Sequence, residues 1–353
     1  RGTLYLYEDP IYVPVNDCYM VEKIRTVLST EEMEKMGLKD FREIYELLFT
    51  YSEIKMASIP TYPGEVVFQN GIVNLMTGKK IPSSPNRFYI NQIHANYQPN
   101  CFHDTSVFDE FLETCSAGED TIKERILSFL GYCLLPEQDG KCFFVLGPAP
   151  DSGKSVIGNL LQRLVGTEMV SSVPLHELRK NFALDPIIGK VLNISMDLPR
   201  KPIDDESVGM IKMLTGKDRV NVNKKYCDMF SAENRATFVF GVNAPISLKS
   251  EDDAFWNRVQ IVPFLHSISE EEKDTEILEK LWEERDGIVY KVMSAAKKLI
   301  ANNYCFPPCP IAERMKREWK KERETAILPF LEEWCDCSDP TAKTPTCDLY
   351  QAY

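Results

Sequence analysis

The chain has 353 residues, of which 44% are hydrophobic and 27% charged, and its net charge is −12. Such a composition belongs to an ordinary globular protein, and the length suggests two or three domains. No run approaches the roughly 18 apolar residues of a membrane span, and so acidic a chain does not coat nucleic acid over its whole surface, which leaves only a local basic patch for that purpose.

The eleven cysteines are dispersed from Cys18 to Cys347, and with no secretion signal they read as reduced thiols rather than a disulfide frame. Cys305-x3-Cys309 followed by Cys335-x-Cys337 and Cys347 is the one pattern with a zinc alternative, although its pairs lack the usual two-residue gap. The chain opens without methionine or a signal peptide and reads as a fragment of a longer protein.

Residues 1 to about 26 mix β-formers with Pro10 and Pro14 and read as irregular strand pieces. Ser29 with Glu32 makes a capping-box pattern, and the stretch to Ala57 carries apolar residues at helical spacing with a break at Gly37, which predicts two short helices. From Ile59 to Gln98 the texture is strand and turn. Asn70-Gly71 between Glu65–Phe68 and Ile72–Leu75 predicts a hairpin. His94 and His103 stand without a carboxylate or cysteine pattern around them and read as structural. Phe102 to Leu135 is helical, with Val107, Phe108, Phe111 and Leu112 on one face and Ile122, Ile126, Phe129, Leu130 and Cys133 on another.

Next comes Cys142–Leu146, an apolar, aromatic-rich run that reads as a buried strand. It gives way to Gly147-Pro148-Ala149-Pro150-Asp151-Ser152-Gly153-Lys154-Ser155, after which Val156 resumes helical spacing through Leu164. Strand, loop and helix in this order can cradle the phosphates of ATP or another nucleoside triphosphate. Backbone N–H groups and a helix N-terminus face the anion, the Lys154 ammonium lies near the β- and γ-phosphates, and the Ser155 hydroxyl serves Mg²⁺. Gly147, Pro148, Asp151, Ser152, Gly153 and Val156 complete the cradle. The two glycines enclose five residues where the standard loop encloses four.

An apolar run at Val191–Ser195 ends at Met196-Asp197. A carboxylate at a strand's C-terminal end can hold Mg²⁺ and orient water beside such a loop, which makes Asp197 the candidate. Lys212 to Lys225 then holds five basic residues against one acid. Val220 and Val222 alternate with polar neighbours, so a strand leads into a hairpin with Lys224 and Lys225 near its tip and Tyr226 beside them. That hairpin is either a solvated loop or a contact for nucleic-acid phosphates and bases. A third apolar strand, Thr237–Val242, ends at Asn243, whose amide can polarise a γ-phosphate or position water. Phe255-Trp256-Asn257-Arg258 precedes a further strand, Val259–Phe264, and in a ring of ATPases such an arginine can reach a neighbour's γ-phosphate.

This order of motifs resembles the superfamily 3 helicases, in particular the poxvirus-type module of phage, plasmid and mobile-element primase-helicases, over roughly residues 60–300. The hairpin Phe68–Leu75 and the segment Ile93–Pro99 are similar to the region before the ATPase in that family. The resemblance implies an α/β fold: an AAA+ P-loop core with a parallel sheet flanked by helices, preceded by a smaller mixed α+β domain with a helical collar. It divides the chain into a truncated upstream segment (1–58), the hairpin and collar (59–135), the ATPase (136–304), and a helix and linker toward a further domain (305–353). It also implies ATP and Mg²⁺ as cofactors, DNA threaded as a single strand through a homo-hexamer, other replication proteins as partners, no membrane, and a cytoplasmic location, that of a bacterial host for a phage or mobile element. By position, Lys154, Asp197, Asn243 and Arg258 carry catalysis, Ser155 and Asp197 hold Mg²⁺, and Lys224, Lys225 and Tyr226 face the channel. The family's acidic motif has adjacent acids where this chain has Met196-Asp197. Either Asp197 serves alone or an acid among Asp204, Asp205 and Glu206 assists it. Two other readings share the motifs: a nucleotide-dependent DNA-binding initiator or scaffold without processive unwinding, and an AAA+ protein remodeller. No primase chemistry is legible.

Overall fold

A computed structural model describes residues 4–15, 17–51, 60, 62–99, 101–136, 139–225, 229–269, 271–321, 343–345 and 347–348. The chain divides into two compact units, one formed by Arg1–Tyr97 with Leu135–Glu137 and the other by Gln98–Leu134 with Gln138–Tyr353.

The first unit opens on an antiparallel hairpin, β1 (Leu4–Glu8) and β2 (Ile11–Val15), and continues through α1 (Asp17–Val27), α2 (Thr30–Lys35) and α3 (Leu38–Tyr51). Helix α1 departs from the irregular reading of residues 1–26. The two prolines precede it, and beyond them Met20, buried in the core, starts a helical face. The capping box forms as expected. The Ser29 backbone N–H and hydroxyl both donate to Glu32 Oε2, at 2.9 and 2.7 Å, and Gly37 separates α2 from α3. The part of that stretch running on to Ala57 lies outside the described residues. Strands β3 (Glu65–Phe68), β4 (Gly71–Asn74) and β5 (Lys80–Ile81) form an antiparallel meander whose first turn is Gln69-Asn70. Val67, Ile72 and Tyr89 are its core.

The second unit begins with α4 (Ser106–Ser116) and α5 (Asp120–Leu134), the helical pair the sequence predicts. They lead to β6 (Phe143–Pro148), α6 (Lys154–Val165), the short β7 (Val170–Ser171), β8 (Leu192–Ser195) and α7 (Asp205–Thr215). A separate antiparallel pair, β9 (Arg219–Val222) and β10 (Phe230–Glu233), is followed by β11 (Thr237–Gly241), α8 (Asp253–Arg258) and β12 (Val259–Phe264). Helices α9 (Ile277–Glu283) and α10 (Arg285–Ala301) and a helix over residues 310–321 close the unit.

Five strands form one parallel sheet in the order β12-β6-β11-β8-β7. Its central strands are covered on both faces, so they are continuous apolar runs rather than alternating ones. Phe143, Phe144 and Leu146 in β6 and Phe238, Val239 and Phe240 in β11 are fully buried. The Phe144 ring meets Phe129 and Tyr132 of α5 on one face, whereas Phe143 meets Phe255 of α8 on the other. Helix α5 in turn lies against α10, where a Cβ on Gly131 would stand 2.8 Å from the Val292 carbonyl oxygen. The observed architecture is the expected one: a parallel sheet flanked by helices, with a smaller mixed unit N-terminal to it.

The described cysteines are free thiols, and no group of three or more His, Cys, Asp or Glu converges among the described residues. Cys335 and Cys337, half of the zinc pattern, lie outside the described residues. No described helix is long and apolar enough to cross a membrane. His103 donates through Nε2–H to the Gln98 carbonyl at 2.8 Å and packs over Tyr290.

Candidate functional site

The loop from Gly147 to Gly153 leaves the carboxyl end of β6, and two glycines fix its shape by close approach rather than by flexibility. A Cβ at Gly147 would stand 2.5 Å from the Val242 carbonyl oxygen. At Gly153, with φ at +87°, it would stand 2.8 Å from Cys115 Sγ and 3.1 Å from the Phe111 ring. Helix α4 therefore floors the loop, a contact with no sequence signature of its own. Asp151 takes a positive φ of 46°, which an aspartate tolerates better than most residues.

Three further bonds brace the loop from the end of β12 and the segment after it. Ala149 N–H donates to Phe264 O at 3.0 Å, Ile268 N–H to Asp151 O at 2.8 Å, and the Ser267 hydroxyl to Pro150 O at 2.8 Å. Lys273 pairs with the Asp151 carboxylate at 3.3 Å. The residue by which this loop exceeds the standard length thus sits in a stretch held from outside.

Gly153 is the N-cap of α6, so Lys154, Ser155 and Val156 form its first turn and their N–H groups point along the loop. Ser155 is exposed, Val156 half-buried and Lys154 buried. The Lys154 ammonium donates to the Ala149 carbonyl and, at 3.2 Å, to the Ser152 hydroxyl, which itself donates to Ala149 O at 2.8 Å. Burial pulls the Lys154 pKa below its ordinary value, and the carboxylates of Asp151 and Asp197 oppose that pull. Asp197 therefore acts electrostatically on Lys154 from across the sheet.

Register explains how it gets there. Phe240 pairs with Ser195 and with Val145, and Gly241 with Leu146. Leu198 N–H donates to Gly241 O at 3.1 Å and Val242 N–H to Leu146 O at 2.9 Å. Asp197, Asn243 and the loop therefore all leave the carboxyl ends of β8, β11 and β6. This is the crevice where open parallel sheets bind ligands. Because β11 lies between β6 and β8, Asn243 stands between the Gly147–Gly153 loop and Asp197. Asp197 and Asn243 are both exposed, and Arg200, three residues beyond Asp197, donates to the Asn243 carbonyl at 3.1 Å.

Met196 faces the other way. Its side chain lies over Gly158 on α6, on the same sheet face as Ile194. Asp204, Asp205 and Glu206 open helix α7, where Asp204 caps by accepting from Ser207 N–H at 3.0 Å and pairs with Arg179 at 3.3 Å.

The basic hairpin forms as β9 and β10, with Val220 and Val222 buried and Asn221 and Arg219 exposed. Lys224 and Lys225 are exposed beyond the end of β9. Tyr226 lies outside the described residues. Two residues from a distant segment stand beside these lysines: Lys224 is 4.0 Å from Asp185, and Lys225 is 6.0 Å from the centre of the Phe182 ring. Phe182 is 44% exposed and sits at a φ of 68°, as do few aromatic residues. Its segment, Arg179 to Asp185, is far from periodic, which is why no pattern singles it out.

Arg258 ends α8. It donates to Ala254 O at 2.8 Å, and the next residue, Val259, pairs with Phe143 at the amino end of β6. Pro148, at the start of the Gly147–Gly153 loop, pairs with Phe264, five residues further along, so about 16 Å of strand separates Arg258 from the loop of its own chain.

The residues present fit a nucleoside triphosphate with Mg²⁺: a loop walled by glycines that a Cβ would fill, a buried lysine, a hydroxyl at a helix N-terminus, and a carboxylate across the crevice. Residues 25–117 match the family described as D5 N terminal like, and residues 145–258 match a family of unknown function (DUF5906). A putative helicase, L207/L206, of Acanthamoeba polyphaga mimivirus is 22% identical over 168 residues, which is 46% of this chain. The match spans 17% of that relative's length. Among solved structures, the A form of the apo NrS-1 C-terminal region shares the fold at a TM-score of 0.50 and 11% identity, over 88% of this chain and 76% of that one.

Proposed function

We propose that this chain is the ATP-dependent helicase or translocase module of a viral or mobile-element replication protein, of the superfamily 3, AAA+ type. The observation that carries the reading is the convergence of Lys154, Ser155, Asn243 and Asp197 at the carboxyl ends of three adjacent parallel strands, with a basic hairpin inserted directly before the strand that bears Asn243. The likeness to a mimivirus putative helicase and to the D5 N terminal like family supports a viral member of the class.

In this reading the backbone of Gly153–Val156 and the Lys154 ammonium hold the phosphates of ATP or another nucleoside triphosphate. Ser155 and Asp197 would hold Mg²⁺, which would supply positive charge to offset that of the phosphates. Asn243 positions the attacking water. Arg258 is too far from the loop of its own chain, so it serves the loop of a neighbouring copy, and a closed ring, a hexamer, gives every loop such a neighbour. Lys224 and Lys225 contact the phosphates of one DNA strand in the channel, where Tyr226 and the exposed Phe182 offer stacking faces.

Met196 favours one second reading, an initiator that binds nucleotide and DNA without turnover, because it leaves a single carboxylate at the end of β8. Hydrolysis measured with and without single-stranded DNA decides. The helicase reading expects stimulation by DNA, loss of all hydrolysis in Lys154→Ala, and basal but unstimulated hydrolysis in Lys225→Ala. Tight nucleotide and DNA binding with no hydrolysis in the unaltered chain overturns it in favour of the initiator.

A further inference from the structure

Helix α8, which ends in Arg258, is six residues long, too short to hold its own direction, so its placing comes from the burial of Phe255 against Phe143 and from the charged groups that grip it. Two grips come from the helix over residues 310–321. Lys320 pairs with Asp253 in the first turn of α8, and Lys316 donates to Val259 O, just past its end, at 2.8 Å. The third comes from α7: Lys212 Nζ lies 2.5 Å from Asp252 Oδ2. Asp252 is also the N-cap of α8, accepting from Phe255 N–H at 2.7 Å through its other oxygen. One carboxylate therefore both starts the helix and ties it to α7.

The hairpin is fixed to that same α7. Lys212 lies in its last turn, and the chain passes through Gly216, Lys217 and Asp218 into β9. At the other foot of the hairpin, the buried Asn234 donates through Nδ2 to Leu214 O at 3.2 Å and to Ala236 O at 2.9 Å. Both feet are thus bound to the C-terminal turn of α7. Val220 and Val222 are buried, which keeps the strand from moving independently.

A continuous line of bonded groups therefore runs from Lys224 and Lys225 through β9 and β10 to α7, across one ion pair to α8, and on to Arg258. We propose that Lys212 and Asp252 are positioning residues through which contact of a single DNA strand with the hairpin alters the placing of Arg258. This rests on the function proposed above. Lys212 does not itself reach the nucleotide, and its effect is exerted only through Asp252. The helix over residues 310–321 supplies the remaining charged contacts on α8.

The test compares ATP hydrolysis with and without a single-stranded oligothymidylate in the unaltered chain and in Arg258→Ala, Asp252→Ser, Lys212→Met, Lys212→Arg and the Asp252→Ser/Lys212→Met double variant. Serine retains the helix cap while removing the charge. Asp252→Ser and Lys212→Met are each expected to lower the ratio of stimulated to basal kcat about two- to fivefold, the range open to a partly exposed ion pair, with KM for ATP and the thermal midpoint retained. The double variant should lose no more than either single one, and Lys212→Arg should keep the ratio. An unaltered ratio in Asp252→Ser and Lys212→Met, in a protein whose Arg258→Ala variant has lost hydrolysis, overturns this inference and leaves the proposed function standing. The inference is equally overturned if the two losses multiply, or if basal and stimulated rates fall together with the thermal midpoint. Absence of DNA stimulation in the unaltered chain removes the proposed function, and this inference with it.

Discussion

Met196 fills the notch that Gly158 leaves on α6: a Cβ at position 158 would stand 2.4 Å from the Met196 Cε and 3.6 Å from its Cγ. Met196 is thus a packing residue, directed into a helix rather than into the crevice. Its backbone is held as tightly from the other side, since a Cβ at Gly241 would lie 2.7 Å from Met196 O and 2.9 Å from its Cα.

These two glycines should respond differently to alanine. At Gly241 the obstacle is backbone, so Gly241→Ala should destabilise the protein by about 1–3 kcal/mol or more. At Gly158 the obstacle is the end of a flexible side chain, and helix propensity returns about 1 kcal/mol, so Gly158→Ala should lie within about 1 kcal/mol of the parent. Denaturant midpoints at constant slope measure both.

Helix α4 offers a second test, because its N-cap Thr105 makes no capping bond through its side chain. The free N–H groups of Val107 and Phe108 instead donate to Glu284 Oε1 and Oε2, at 2.9 and 2.8 Å, from a residue at the start of α10. Glu284→Ala should cost about 1–2 kcal/mol, as loss of a charged cap does. Glu284→Gln, which retains one acceptor, should lose less. Chemical denaturation of the three proteins ranks them.

The placing of Arg258 at the amino end of β6 makes a prediction about assembly. Neither Lys154→Ala nor Arg258→Ala should hydrolyse ATP alone. Mixed together they should recover activity, because some interfaces then join an intact loop to an intact arginine. Activity no greater than that of the separate variants, in mixtures shown to form joint assemblies, would count against action across an interface.

The cap of α7 sets a pH dependence. Burial raises the Asp204 pKa, but the Ser207 N–H and hydroxyl and the nearby Arg179 more than offset it, so its folded value lies below the usual 3.8. A carboxylate with a depressed pKa contributes stability that is fully present above its unfolded pKa and is lost as pH falls through the folded one. Asp204→Ala should therefore be about 1 kcal/mol less stable than the parent near neutral pH. The gap should close as the pH falls below 3.8, which thermal melts across the acid range would show.

Much of the site was legible in the chain because its parts are local. Phe143–Leu146, Leu192–Ser195 and Thr237–Gly241 are apolar runs bounded by breakers, and such runs form strands in any parallel sheet. Gly153-Lys154-Ser155 after one of them and before a helical period marks a strand–loop–helix junction by adjacency alone, and the Ser29–Glu32 box marks a helix start in the same way. Strand order is not local. That β11 enters between β6 and β8, placing Asn243 between the loop and Asp197, depends on how the crossovers pack, and no spacing in the chain encodes it. The same holds for the side of the sheet that Met196 faces, for the approach of Phe182 to Lys225, and for the distance of Arg258 from its own loop. Helix α1 went unread because Pro10 and Pro14 dominate the composition just before it, whereas the burial of Met20 that secures the helix exists only in the folded unit. The sequence by itself therefore determined which groups the protein has for its chemistry. Tertiary structure decided which of them meet, because close approach across a sheet is set by packing between segments far apart in the chain.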